Sequence, residues 1–369
     1  MDKAISTYGA VELDMLGPVE AGAFTTIKYI YTAEHPIDRG GYIKLAFRTA
    51  GDFGIPQFNR PGDDNYCSVY SSGKCRIIPR WDSKGHISPW DKALYLQIED
   101  YCLDAGKKIT VIFGDKSKGS RGWQLQTFVE ETFEFKTFVD LFAVYDFAEM
   151  PFSPSMPIIH GEPVRAVCLT PSQVKINEEF AFYLKVEDAW GNPASQMDKI
   201  IHPGFPEPGI EYIEISDREF NLEAYSQPIS VVEELPELKY YWADFHGETE
   251  ETTGTNDIED YFYFGCYWSR LNILGHQGCD FQINDTFWQR IKETSNAYNA
   301  PEKFVSFPGY EWCGSTFLGG SRNIFFLDSD GEIHRSSRAQ VEDHASSFRD
   351  APTAELLFEA LKKQPTPSF

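Results

Sequence analysis

The stretch Tyr241-Trp242-Ala243-Asp244-Phe245-His246-Gly247-Glu248 decides how this chain is read. A short apolar run ends in an Asp, a His, a Gly and a Glu. Two later segments repeat the arrangement. Leu271-Asn272-Ile273-Leu274-Gly275-His276-Gln277 ends in a His, and Phe304-Val305-Ser306-Phe307-Pro308-Gly309-Tyr310-Glu311 ends in a Glu. The three polar ends lie roughly 30 and 35 residues apart, the length of a βαβ unit.

Helix signals fill the gaps. The first helix is expected near Thr255-Asn256-Asp257, with Glu259 three residues after Asn256 as a capping box. The second is expected after Asp285, with Phe287, Ile291, Thr294 and Tyr298 on one stripe and Pro301 beyond its end. Downstream come Gly319-Gly320-Ser321-Arg322-Asn323, a strand at Ile324-Phe325-Phe326-Leu327 and a helix pattern over Thr353–Lys362. Residues 237–369 thus read as an α/β segment of the barrel kind. A closed (β/α) barrel takes about 200–250 residues, so the expectation is a partial barrel, incomplete at its C-terminus.

Upstream the pattern is β. Residues 1–150 carry short runs rich in Thr, Ile, Val, Tyr and Phe between Gly, Pro and Asp turns, among them Thr25–Tyr31, Ile43–Arg48 and Ile109–Phe113. Thr132–Val139 alternates strictly, which predicts one buried and one wet face. An antiparallel sandwich is expected there. The Gly114–Gly122 stretch is rich in Gly, Lys and Ser but lacks the closing Gly-Lys-Ser/Thr of a phosphate loop, and it reads as a polar surface loop. Residues 151–158, rich in Pro, read as an ordered joint. Residues 151–236 then read as a second, immunoglobulin-like β module.

Composition bounds the function. The chain has 369 residues, a net charge of -23, 42% hydrophobic and 15% aromatic residues, which describes a folded chain and not a disordered one. The negative field argues against nucleic-acid and membrane-surface partners. Seven cysteines without a Cys-x-x-Cys pair indicate reduced thiols. The N-terminal residues lack a basic start followed by an apolar core, and no run approaches membrane-spanning length, so a cytoplasmic protein is expected. Oligomeric state is not legible.

In a parallel barrel the C-terminal strand ends converge on one rim. There His246, Glu248, His276 and Glu311 would meet as ligands of a divalent metal, Mn, Zn or Fe, which would activate water. Asp244 and Asp280 are the candidate catalytic carboxylates. Arg322, Asn323 and Gln277 are the candidate contacts to a small substrate, with Arg322 as an anion clamp; a phosphorylated substrate is expected.

Trp242-Ala243-Asp244-Phe245-His246-Gly247-Glu248-Thr249 resembles the opening motif of the PHP (polymerase and histidinol phosphatase) superfamily, where Asp-Leu-His-x-His-Thr supplies the first metal ligands. The longer signature, Gly275-His276-Gln277-Gly278-Cys279-Asp280, Pro308-Gly309-Tyr310-Glu311-Trp312 and Gly319-Gly320-Ser321-Arg322-Asn323, is similar to a PHP-related branch of unknown function with β-rich N-terminal segments. The resemblance implies a distorted β/α barrel, a metal cleft and phosphoester hydrolysis. The chain departs from it where Glu248 replaces a His, Gly275 an Asp, and Ser321 a His or Asp. The reading is a metal-dependent phosphoesterase, and its alternative is a non-catalytic ligand-binding or adhesive protein with a degenerate barrel.

Overall fold

The computed structural model describes residues 7–15, 17–217, 220–315, 317, 319–337, 341 and 350–369. The chain forms two compact units. The first comprises residues 1–164 and 187–194, the second residues 165–186 and 195–369.

The first unit is built mainly from antiparallel strand pairs. A four-stranded sheet orders Ala10–Asp14, Ile27–Thr32, Lys108–Phe113 and Cys67–Ser71; a five-stranded sheet orders Ala148–Glu149, Lys136–Asp140, Tyr42–Phe47, Lys92–Glu99 and Arg76–Asp82. Alternation sends Ile27, Tyr29 and Tyr31 into the core. Its centre is aromatic. The Phe47 ring lies 5.4–6.2 Å from those of Phe53, Trp81, Phe113, Trp123, Phe133 and Phe135. The buried Trp123 indole donates to Gly54 O at 2.6 Å, so the polar atom of this large ring has a partner.

Two features of this unit differ from the sequence reading. The alternating stretch Thr132–Val139 is not one strand. Glu130–Glu134 pairs with Ser155–Ile159, whereas Lys136–Asp140 pairs with Tyr42–Phe47, so the chain changes sheets at the buried Phe135. Sequence period sets which way side chains point, not which partner strand accepts the backbone. The Pro-rich joint is also a strand: Ser155–Ile159 pairs antiparallel with Glu130–Glu134 and parallel with Val19–Glu20.

The second unit opens with a β module. One sheet orders Arg165–Leu169, Phe180–Glu187 and Asp198–His202; another orders Gln173–Lys175, Ile229–Val232 and Gly209–Glu211. Cys168, Val174, Phe182, Ile213, Ile229 and Val231 form its core.

From Ala243 a parallel sheet follows, ordered Ala243–Gly247, Ile273–His276, Val305–Phe307. Helix α1, Ile258–Tyr263, runs into a π-helical turn at Phe264–Trp268 and links the first two strands. Helix α2, Asp285–Tyr298, links the second and third. Asp257 caps α1 by accepting from Asp260 N at 2.8 Å, and Asn284 caps α2 by accepting from Phe287 N at 2.7 Å. Phe287, Trp288 and Ile291 form the buried face of α2. Helix α3 is Ala354–Leu361.

The partial α/β barrel expected over residues 237–369 does not form. Only three parallel strands assemble among the described residues. The chain then reverses: Gly309–Cys313 pairs antiparallel with Ser321–Phe325, Glu311 opposite Asn323. Parallel neighbours need a crossover of a dozen or more residues, and the connection through residues 314–320 is too short for one. Gly319 (φ 113°) and Gly320 (φ 69°) turn the chain in a conformation that side chains with a Cβ rarely adopt. The spacing of His246, His276 and Glu311 marks three neighbouring parallel strands but carries no information on whether the sheet continues or closes. The protein is therefore a β-rich chain with a small α/β element. Among the described residues no helix is long and apolar enough to cross a membrane.

Candidate functional site

The residues singled out in the sequence occupy distinct environments at the ends of the parallel strands and on the hairpin. Asp244 is exposed, and its Oδ1 accepts from His246 N at 2.9 Å. The His246 ring is exposed, with Nδ1 3.4 Å from Asn323 Nδ2. Glu248 is half-buried and accepts from Thr253 N at 3.1 Å. Arg322 lies in solvent and donates to Ser321 O at 2.7 Å.

His276 is fully buried. Gly278 N–H points at Nδ1 (3.2 Å) and Thr249 Oγ1 stands 3.3 Å from Nε2. Thr249 in turn donates to Glu251 at 2.7 Å, and Glu251 accepts from Arg290 at 2.8 Å. Burial holds the His276 pKa down to about 3, so the ring is neutral. Gln277 is buried beside it. Its Nε2 donates to His276 O at 2.8 Å, and among the described residues its Oε1 has no hydrogen-bond partner.

Asp280 is also fully buried. It accepts from Cys313 N at 3.1 Å, from Ser336 Oγ at 3.1 Å and from Ser336 N. Desolvation outweighs these donors and raises its pKa. The carboxyl thus ties the loop after the second parallel strand to the hairpin and to Ser336.

The four residues expected as metal ligands do not come together as a group. Among the described residues one cluster of metal-ligating side chains forms, and it joins Glu311 to Cys279 and Cys313, their ligand atoms all within 4.8 Å of one another. Register explains it. Glu311 and Cys313 are two apart on one strand and share a face, and Cys279 bridges to Glu311 in parallel. Glu311-x-Cys313 was readable as a shared face, but the approach of Cys279 depends on strand register alone. The barrel rim on which the hydrolase reading placed these residues is not present among the described residues. His246, Glu248 and His276 do not form a group with ligand atoms within 4.8 Å of one another, and the His276 nitrogens face Gly278 N and Thr249 Oγ1.

A second feature lies in the β module and the entry to the parallel sheet. A cleft of about 570 Å³ is lined by Tyr183, Lys239, Tyr240, Tyr241, Trp242 and Arg270, among others. Tyr240, Tyr241 and Trp242 are 74%, 62% and 59% exposed, so these rings are open to a ligand. The backbone that carries them is held: Trp242 N donates to Asn272 Oδ1 at 2.9 Å, and Ile273 N donates to Trp242 O at 3.1 Å. The Trp242 indole donates to Ser172 Oγ at 3.1 Å. The Arg270 guanidinium sits 3.8 Å over the Tyr183 ring and donates to its hydroxyl at 2.7 Å. Arg270 has φ 52°, uncommon for a side chain of its size. The sequence signal was the Tyr240-Tyr241-Trp242 run itself, which reads as a lead-in to the strand until Tyr183 and Arg270 are seen beside it.

No protein-family model matches this chain. An uncharacterized protein of Chlamydia pneumoniae is 23% identical over 91% of the chain, and the chain spans 58% of that relative's length. Among solved structures, a CBM3a-L domain with flanking linkers, from scaffoldin cipA of the Clostridium thermocellum cellulosome, aligns with 42% of this chain and 98% of its own, at 10% identity and a TM-score of 0.24. That score is too low to indicate a shared fold.

Proposed function

We propose that this chain is a non-catalytic ligand-binding protein and that its ligand occupies the aromatic cleft of the second unit. The observation that carries this reading is the cleft of about 570 Å³ with three exposed aromatic rings on its wall. Small-molecule sites are typically concave, about 300–1,000 Å³, and lined by aromatic side chains with a few polar groups. Here the polar groups are Arg270, Lys239, Gln227 and Asn272. Aromatic faces favour a ligand with a flat apolar face, and the amides and cations favour a hydrogen-bonding rim. A sugar ring combines the two. The net charge of -23 disfavours long polyanions.

The test is a titration of the purified chain with neutral and acidic mono- and oligosaccharides, followed by tryptophan fluorescence and calorimetry. Saturable binding that falls about tenfold or more in Trp242→Ala and Tyr183→Ala supports the reading, given the about 1–3 kcal/mol carried by buried aromatic contacts. Binding unchanged by both substitutions, or no binding across the panel, refutes it. Metal-dependent turnover of phosphoesters abolished by His246→Ala would refute the non-catalytic part.

A further inference from the structure

We infer that Cys279, Glu311 and Cys313 form a binding site for a thiophilic divalent cation of the zinc type, a site separate from the aromatic cleft. Two cysteine sulfurs and a carboxylate oxygen lie within 4.8 Å of one another. In a tetrahedral zinc site with Zn–S near 2.3 Å and Zn–O near 2.0 Å, paired sulfurs stand about 3.8 Å apart and sulfur and oxygen about 3.5 Å. Closing the cluster onto a cation therefore takes side-chain movement of about 1 Å, within reach of rotamer adjustment.

The scaffold holds the ligands in place. Glu311 N donates to Gly278 O at 2.9 Å, which sets the strand against the Cys279 loop. Asp280 accepts from Cys313 N at 3.1 Å. Trp312, between Glu311 and Cys313, points to the opposite face; it is fully buried and its indole donates to Ala351 O at 2.8 Å. That anchor keeps Glu311 and Cys313 together on the other face. All three residues are half-buried, and three protein ligands would leave the fourth position of a tetrahedral ion to water.

Both cysteines are free. Binding would release one proton from each thiol to solvent, giving two thiolates and one carboxylate around the ion. Thiolate ligands select zinc, cobalt or cadmium over magnesium, calcium or manganese.

The test is a titration of the full, reduced chain with Co²⁺ under anaerobic conditions. The expected result is a near-ultraviolet thiolate-to-cobalt absorption that saturates at one equivalent and is bleached by Zn²⁺. Cys279→Ser and Cys313→Ser should each weaken binding by about tenfold or more, and Glu311→Gln should keep the thiolate absorption while lowering affinity. If the serine variants fail to fold, alkylation of the wild-type chain, mapped by mass spectrometry, gives an independent readout: Zn²⁺ should protect Cys279 and Cys313 and leave the exposed Cys102 reactive. Absence of the absorption in folded reduced protein, its persistence in a Cys279→Ser/Cys313→Ser double variant, or alkylation indifferent to Zn²⁺ would overturn the inference.

Discussion

The substitution His276→Gln isolates the energetic consequence of burying an imidazole at the end of the central parallel strand. The ring has no solvent exposure and packs near Tyr261 and Phe287, with ring centroids 6.2 and 5.5 Å away. Burial holds its pKa down to about 3, against about 6.5 in an unfolded chain. A histidine with a depressed folded pKa binds more protons when unfolded. Between those two pH values stability therefore rises with pH and is lost as pH falls. The loss begins near pH 6.5 and accumulates at up to about 1.4 kcal/mol per pH unit, which gives roughly 2 kcal/mol between pH 7 and pH 5.

Ordinary carboxylates titrate near pH 4 and contribute little in that window. His86, also held down by burial, to about 4, acts alike in wild type and variant and cancels. At pH 7 the variant carries a deficit of about 1–3 kcal/mol from lost packing. That deficit should shrink by roughly 2 kcal/mol on going from pH 7 to pH 5. Urea unfolding at pH 7, 6 and 5, read by hydrogen exchange of the Ile273–His276 strand, measures it. A deficit constant across the three pH values, or a His276 ring that titrates near its ordinary pKa in the folded chain, would refute the reasoning.

Three further outcomes are expected. Asp280→Ala should cost about 2–4 kcal/mol, because Cys313 N–H and both donors of Ser336 lose their acceptor while the relief of a buried carboxylate offsets part of the loss; thermal melts and faster exchange of the Cys313 and Ser336 amides check it. Phe47→Ala should destabilise the first unit by about 3–5 kcal/mol, since six aromatic rings surround that side chain; a lower urea midpoint is the readout. Arg290→Ala should cost about 1 kcal/mol at low salt and much less near 1 M salt, because the guanidinium joins Glu251, Asp257 and Glu259 at a partly exposed site; melts across a salt series decide it.

Much of the local structure is legible in residue order. The Ile27–Thr32 alternation places Ile27, Tyr29 and Tyr31 inward, and Asn284 followed by the Phe287–Ile291 stripe marks the start and buried face of α2. These signals are local, because capping and periodicity act over three or four residues. The barrel expectation fails because spacing between strand ends describes neighbours, whereas continuation of a sheet depends on the length of the next connection. Residues 314–320 allow only a reversal.

Residue order alone places His246, His276 and Glu311 at the ends of short apolar runs separated by helix patterns. Only the tertiary structure brought Tyr183 and Arg270 to the aromatic run and Cys279 to Glu311 and Cys313. It also buried His276 against Thr249 and left His246 in solvent. The physical reason is common to all three: strand register and packing join residues tens of positions apart, and no periodicity within one segment encodes which distant segment will be its neighbour.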